Sequence, residues 1–371
     1  MINSDLIYLV ILIAFLVIAG IQAFYYIFIY LRLPLFKKNE DKDEPVPVSI
    51  VICARNEMEN LEKYLPRLLE QDYHEFEVVV VNDCSVDDTE DTLKRYKNLY
   101  PRLKTTFIKE DEKFSHGKKL ALTVGIKAAS YEHLLLTDAD CYPATNKWLS
   151  QMASHFKGNT SIVLGYGGFI KSPGLLNMLI RFDAAFIALN YLSLALAGIP
   201  YMGVGRNLAY KKSLFFANKG FATHLKLNSG DDDLFINEVA QKHSVAVEPF
   251  AHTRSEAKKT FAKWVEQKGR HFTTFSHYKG SHKFVLGSEI ISRVLFYFLF
   301  VALLIIHKYW IIACSVFLFR LIWQVIIFNC TFRRLEEKKL LLISPIFDLI
   351  MPFVNFGILM NSIITANKRW R

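Results

Sequence analysis

The sequence predicts an α/β domain with a parallel, doubly wound sheet, carried on membrane-spanning helices. Three observations support this. Long apolar runs stand near both ends of the chain. Between about Glu44 and Phe284, β-branched runs alternate with amphipathic stretches. Polar side chains cluster where those β-branched runs end. Alternation of this kind places helices on both faces of a parallel sheet, and ligands bind at the carboxyl ends of its strands.

Leu6 to Leu31 contains no charged residue and exceeds the ~20 residues needed to cross a bilayer. It is too long and too aromatic for a cleaved signal, so a permanent transmembrane helix is expected over residues 1–33. Val294–Ile306 and Tyr309–Phe332 read as a helical hairpin turning at His307-Lys308. A last apolar stretch, Leu340–Ala366, holds Pro345 and Pro352, which favour a break or a kink. Residues 285–371 therefore hold a hairpin plus a further span or a re-entrant segment. Lys and Arg flank the spans: Arg32, Lys37 and Lys38 follow the first, and many precede the second. By the positive-inside rule the central region is cytoplasmic and the amino terminus outside. A re-entrant last segment would keep the basic tail Asn367-Lys368-Arg369-Trp370-Arg371 inside. The expectation is an integral protein of the inner or plasma membrane. Arg293, Arg320 and Asp348 fall in or beside apolar stretches, where charge is costly and either pairs or serves function.

The apolar content of 52%, with 30 Phe and 17 Tyr, follows from these segments. The net charge of +10 is spread along membrane flanks, so nucleic acid is not an expected partner. None of the five cysteines forms a Cys-x-x-Cys pair, and reduced thiols are expected.

The central domain, residues 44–284, reads strand by strand. Val46–Ala54 is a strand ending at Arg55-Asn56-Glu57. Leu61, Tyr64, Leu65, Leu68 and Leu69 follow at helical spacing. Phe76–Val81 is a second strand ending at Asn82-Asp83, and Ser85 or Asp87 starts a helix over Asp88–Asn98. Thr105–Ile108, a helix over Lys118–Ala129 and a strand over Leu134–Thr137 complete the pattern. No Walker loop and no Gly-x-Gly-x-x-Gly follows the first strand, which excludes the usual ATPase and dinucleotide signatures. The last strand runs into Asp138-Ala139-Asp140, two carboxylates spaced for one hard divalent cation such as Mg²⁺ or Mn²⁺.

Several motifs occur in a characteristic order: Val51-Ile52-Cys53-Ala54-Arg55-Asn56-Glu57, Val81-Asn82-Asp83-Cys84-Ser85, Gly117-Lys118-Lys119-Leu120 and Thr137-Asp138-Ala139-Asp140. Gly205-Arg206-Asn207, Gly230-Asp231-Asp232-Asp233-Leu234 and Gln267-Lys268-Gly269-Arg270-His271 complete the series. From Val48 to Phe272 the chain resembles the membrane-bound family 2 glycosyltransferases, which include cellulose, hyaluronan and poly-N-acetylglucosamine synthases. The resemblance implies a GT-A fold, the Rossmann-like fold of nucleotide-diphospho-sugar transferases. It implies an inverting, metal-dependent transfer of a hexosyl or N-acetylhexosaminyl group from a nucleotide-sugar donor, UDP-linked by family habit. The acceptor would be a lipid or a membrane-presented glycan.

The resemblance also assigns roles. Asn56, Glu57, Asp83, Lys118 and Asp138 would bind the donor, and Asp140 with Asp138 the metal. Asp232, with Asp231 close behind, would be the catalytic base, because an inverting transfer needs a carboxylate to take the acceptor proton. Gln267 and Arg270 share a helix face at i,i+3 spacing, and Arg270 would reach the diphosphate. Gly205, Asn207 and His271 would face the acceptor. The synthases have Gln-x-x-Arg-Trp where this chain has His271, which weighs against processive synthesis. A processive polysaccharide synthase is the alternative enzyme, and a non-catalytic sugar-binding scaffold or transporter the alternative of another class. Leu175–Ile199, apolar but carrying Arg181 and Asp183, reads as either an interfacial helix or a buried core helix.

Overall fold

The computed structural model describes residues 4–37, 45–109, 117–225, 227 and 229–368, with side chains as far as residue 362. Lys38 and the tail from Arg369, on which the orientation partly rests, lie outside them. The chain divides into two compact units, one of Lys37–His277 and one of Met1–Phe36 with Tyr278–Arg371.

The first unit is built on a mixed eight-stranded sheet of order β3-β2-β1-β4-β7-β6-β8-β5. Its strands are β1 Val48–Ala54, β2 Phe76–Asp83, β3 Leu103–Ile108, β4 His133–Leu136, β5 Cys141–Pro143, β6 Ile162–Phe169, β7 Leu208–Lys211 and β8 Val245–Ser255. The half β3-β2-β1-β4 is parallel throughout. Val78 to Val81 in β2 are wholly buried, as befits a strand covered by helices on both faces. Helices Met58–Leu69, Thr89–Leu99 and Lys118–Ala128 connect these strands, and Leu61, Tyr64, Leu65, Leu68 and Leu69 all turn into the core.

The sheet is not parallel throughout. β7 pairs antiparallel with both β4 and β6, and β5 antiparallel with β8. The parallel half was readable because each strand is followed by an amphipathic helix. β5 and β7 have only three and four residues, too short to show a pattern. From β1 the chain builds outward to β3 and then returns to add β4 on the other side of β1. That reversal opens a crevice between the carboxyl ends of β1 and β4.

The apolar helix Leu175–Leu196 packs on β6 and β8 with 78% of its apolar window buried. It is a core helix of this unit. Asp183 on it pairs with Lys268 at 2.5 Å, both buried, so the Asp183 charge is neutralised internally.

The second unit consists of apolar helices. Ser4–Phe24 continues through a π-helical turn, Tyr25–Tyr30, to Leu35. Gly280–Ile306 and Trp310–Arg334 form the expected hairpin, with His307 left-handed at the turn. Lys308 at that turn pairs with Asp5 at 2.5 Å, so the first helix runs antiparallel to Gly280–Ile306. Ser344–Lys368 is one continuous helix rather than a re-entrant hairpin. Pro345 falls in its first turn, where no amide hydrogen bond is lost, and the helix carries Pro352 without ending.

These helices meet on a buried polar cluster. Arg293 donates to Glu289 at 2.8 Å and to Asp348 at 3.1 Å, and Arg320 donates to Asp348 at 2.9 Å. Tyr297 donates to Asp348, and Gln22 links Ser292 to Arg320. Asp348 is thus the common acceptor, and the three charges singled out in the sequence pair with one another. Among the described residues, and including Leu175–Leu196, five helices are long and apolar enough to cross a membrane.

Candidate active site

Three strand ends and two helix starts bring the acidic and polar residues together. β1 is followed by Asn56, which adopts φ = 55°, a left-handed conformation that asparagine tolerates better than most residues. This turns its side-chain carbonyl to accept from the Val86 amide at 2.9 Å, while its own amide donates to Ser85 Oγ. Glu57 and Met58 amides donate to Thr89 Oγ1 and Asp87 Oδ2. The loops after β1 and β2 are thereby laced together beside Asp83, which is only 4% exposed.

β4 delivers Asp138 and Asp140. Together with Cys141 they place one ligand atom each within 4.8 Å of one another. Burial, reinforced by the charge of Asp138, raises the Asp140 pKa. The buried Cys141 thiol is likewise pushed up and donates to Asp140 at 3.4 Å, so it stays neutral and leaves the two carboxylates as hard oxygen donors. The donor set therefore fits Mg²⁺ or Mn²⁺. Glu57 faces the same pair, and burial with help from Asp140 and Asp138 raises its pKa.

Lys118, in the first turn of its helix, bridges this acidic pair to a second one. Its Nζ lies 2.9 Å from Asp138 and 3.0 Å from Asp231. Desolvation opposes its charge, but Asp138, Asp231 and Asp232 together hold it protonated well above the usual lysine range. The same lysine, outweighing burial, keeps Asp231 below its ordinary value.

Asp232 accepts from the Gly205 amide at 2.7 Å and from the Asp233 amide at 2.8 Å. A Cβ on Gly205 would stand 3.4 Å from Asp232 and 3.5 Å from Lys118, so glycine leaves the backbone close to both. Burial, then the charges of Asp231 and Asp233, push the Asp232 carboxyl up to about 6. Lys118, Asp138, Gly205, Asp231 and Asp232 line one cleft, with Cys53 and Thr137 beside them.

Other residues stand elsewhere. Asn207 does not face that cleft. It is wholly buried; its side chain accepts from Trp148 Nε1 at 3.0 Å and donates to the Tyr166 and Ala251 carbonyls. The Gly-Arg-Asn motif thus spends its asparagine bracing three core segments, and an acceptor-side position for that side chain is corrected accordingly. Gln267, Arg270 and His271 ride on helix Phe261–Phe275. Arg270 and His271 are exposed, and His271 lies within electrostatic reach of Asp232 and Asp231. Gln267 and Arg270 do not line the cleft around Lys118.

Two supports escaped sequence reasoning. Lys119 is buried and donates to the His224 and Leu227 carbonyls at 2.6 and 3.0 Å, tethering the segment that leads to Asp231. Thr274 donates to Asp233, fastening the helix of Arg270 to the acidic loop. The only signals were a second lysine after Gly117 and a threonine one turn beyond Arg270.

An acidic pair suited to a metal thus stands at the switch point of a GT-A-like sheet, opposite a second acidic loop. The sequence profile of "Glycosyl transferase family 2" matches residues 49–215, so that part of the chain is similar to that family. Over 124 residues it is 32% identical to poly-beta-1,6-N-acetyl-D-glucosamine synthase of Staphylococcus epidermidis, covering 32% of this chain and 28% of that one. Over 111 residues it is 32% identical to the synthase of the same name from Staphylococcus aureus (strain COL), covering 30% and 26%. The match therefore spans less than a third of those relatives. The fold is similar to that of the mannosyltransferase PcManGT from Pyrobaculum calidifontis, solved with GDP-Man and Mn²⁺. Its TM-score is 0.58 at 18% identity, over 94% of this chain and 99% of that one.

Proposed function

We propose that the protein is an inverting glycosyltransferase that moves one sugar from a UDP-linked donor to a lipid or membrane-presented glycan acceptor. One observation carries the reading: Lys118 joins the Asp138 side of the cleft to the Asp231–Asp232 side, so donor and base chemistry share one space. The curated relatives, by name synthases of an N-acetylglucosamine polymer, support a UDP-linked N-acetylhexosamine as the first donor to test.

Asp140 and Asp138 would hold Mg²⁺ or Mn²⁺, which when bound neutralises charge on the donor diphosphate. Asp83 and the Asn56 loop bind the nucleoside. Lys118 supplies positive charge for the phosphates, and Arg270 adds to it from its helix. Asp232 takes the proton of the acceptor hydroxyl as the new glycosidic C–O bond forms. The anomeric C–O bond to phosphate breaks on the opposite face, and the nucleoside diphosphate leaves with the bonding pair. Asp231, paired with Lys118, stays ionised and excludes the proton from its own carboxylate. His271, in place of the synthases' tryptophan, supports a single addition. The positive flanks support a cytoplasmic catalytic unit.

The test is nucleoside diphosphate release by the full chain in detergent with Mn²⁺, across UDP- and GDP-linked sugars, with membrane extract as acceptor source. Release with UDP-N-acetylhexosamine and a product heavier by one sugar in mass spectrometry is expected. No release from any donor overturns the reading, and long polymers would replace single transfer with processive synthesis.

A further inference from the structure

Arg206 is built into the site and used by none of the steps above. Its backbone is clamped: Thr137 and Thr253 hydroxyls both donate to its carbonyl, at 3.0 and 2.8 Å. Thr137 immediately precedes Asp138, and Gly205, the residue before Arg206, donates to Asp232. Position 206 is thus fixed between the two acidic pairs. The side chain lies over the Phe169 ring, 4.2 Å from its centroid. β6 makes room for it with glycine, since a Cβ on Gly167 would stand 2.8 Å from that of Arg206.

The charge on this seat is uncompensated at contact distance. The guanidinium donates only from Nη1, to the Gly168 carbonyl at 3.5 Å and to Ser255 Oγ at 3.2 Å. Both acceptors are neutral and both bonds are long. Among the described residues no carboxylate pairs with it, whereas Lys118 holds two. Asp140 and His271 both lie within electrostatic reach of its charge. A fixed, half-buried arginine with free N–H groups suits bidentate recognition of an oxyanion.

We propose that Arg206 is an anion-holding residue of the active site, taking phosphate oxygens of a substrate through guanidinium N–H groups that no carboxylate occupies. This rests on the cleft being a glycosyl-transfer site. The phosphate has two possible sources, the donor diphosphate or a phosphate on a lipid acceptor, and they are separable by titration.

The experiment is calorimetric titration of the full chain in detergent with inorganic pyrophosphate, UDP and decyl phosphate, for wild type, Arg206→Gln and Arg206→Lys. Arg206→Gln is expected to weaken pyrophosphate about tenfold or more, and Arg206→Lys less, because it keeps the charge without the planar fork. A parallel loss for UDP assigns the donor diphosphate. Unchanged UDP binding with a loss for decyl phosphate assigns the acceptor. Thermal unfolding of each variant guards against misfolding, and Arg206→Lys carries the comparison if Arg206→Gln unfolds. Equal affinities across the variants, or no pyrophosphate binding by wild type, overturn the proposal. Arg206-dependent pyrophosphate binding without nucleotide release from any sugar donor keeps the anion site and removes the transferase reading.

Discussion

If Asp232 is the base, the enzyme loses activity as its carboxylate is protonated, and the structure sets where. Its pKa lies at about 6 rather than the usual 3.8, because burial and the neighbouring charges of Asp231 and Asp233 disfavour ionisation. About nine-tenths is ionised at pH 7 and about one-tenth at pH 5, so kcat/KM should fall about tenfold between them. Asp231 stays ionised and Lys118 charged over that range. Two other groups act on the same limb: His271, whose pKa desolvation, opposed by Asp232, lowers from 6.5, and Asp140, whose pKa burial and Asp138 raise, so the profile is measured at saturating Mn²⁺. The acid limb must therefore survive in His271→Gln. Asp232→Asn should lose about 10²- to 10⁴-fold in turnover while UDP affinity changes less than about threefold. A pH profile flat to 5, or an Asp232→Asn enzyme keeping a tenth of its activity, would refute the assignment.

The same shift has a stability consequence of definite sign. A carboxylate whose folded pKa exceeds its unfolded one binds more protons folded, so its contribution falls as pH rises from about 4 through 6. Over about two units this amounts to roughly 3 kcal/mol. Asp232→Asn removes that slope from the pH dependence of unfolding.

Three further outcomes are expected. Asp140→Asn should abolish Mn²⁺-dependent UDP binding in calorimetry; in the wild type, because burial and Asp138 raise the Asp140 pKa, Mn²⁺ affinity should weaken as pH falls. Asn207→Ala strands Trp148 Nε1 and two carbonyls in the core, at a cost of about 3–5 kcal/mol, read as a fall of roughly 10 °C in unfolding temperature. Asp348→Ala leaves Arg293 and Arg320 buried without their shared acceptor; a loss of about 3–5 kcal/mol is expected for a broken buried pair, and unchanged thermal unfolding in detergent would show the cluster is dispensable.

The parallel half of the sheet was legible because each strand announces itself twice, by a β-branched run and by the amphipathic helix after it. Leu61 to Leu69 were placed in the core from spacing alone, and the structure buries them. The second half was not legible. β5 and β7 depend on pairing with β4, β6 and β8 rather than on local pattern. Asn207 misled for a related reason. A Gly-x-Asn loop beside acidic motifs suggests a ligand, but nothing local reveals a buried tryptophan N–H needing an acceptor. Leu175–Leu196 has the hydropathy of a span because a helix covered by sheet meets the same apolar demand as one covered by lipid. Ser344–Lys368 shows the converse: Pro345 in the first turn costs no hydrogen bond, so proline content alone overstated the break.

Asp231, Asp232 and Asp233 are identical in sequence and cannot be ranked there, yet they occupy three different environments. Asp231 has its charge met by Lys118, and Asp233 accepts from Thr274 and from the Leu234 amide. Asp232 receives two backbone amides and, among the described residues, no cation at contact distance. Asp232 therefore holds its proton closer to neutral pH than Asp231 does, where a base exchanges it most usefully. The separation depends on Lys118 being shared with Asp138, for a lysine committed to Asp232 would depress the very carboxylate that must accept a proton. Moving that positive charge, as Lys118→Met does, should raise the Asp231 pKa towards that of Asp232 and leave the two titrating as a pair. The acid limb of the pH profile would then broaden and shift upward, and an unshifted limb would show that Lys118 does not set the division of labour between them.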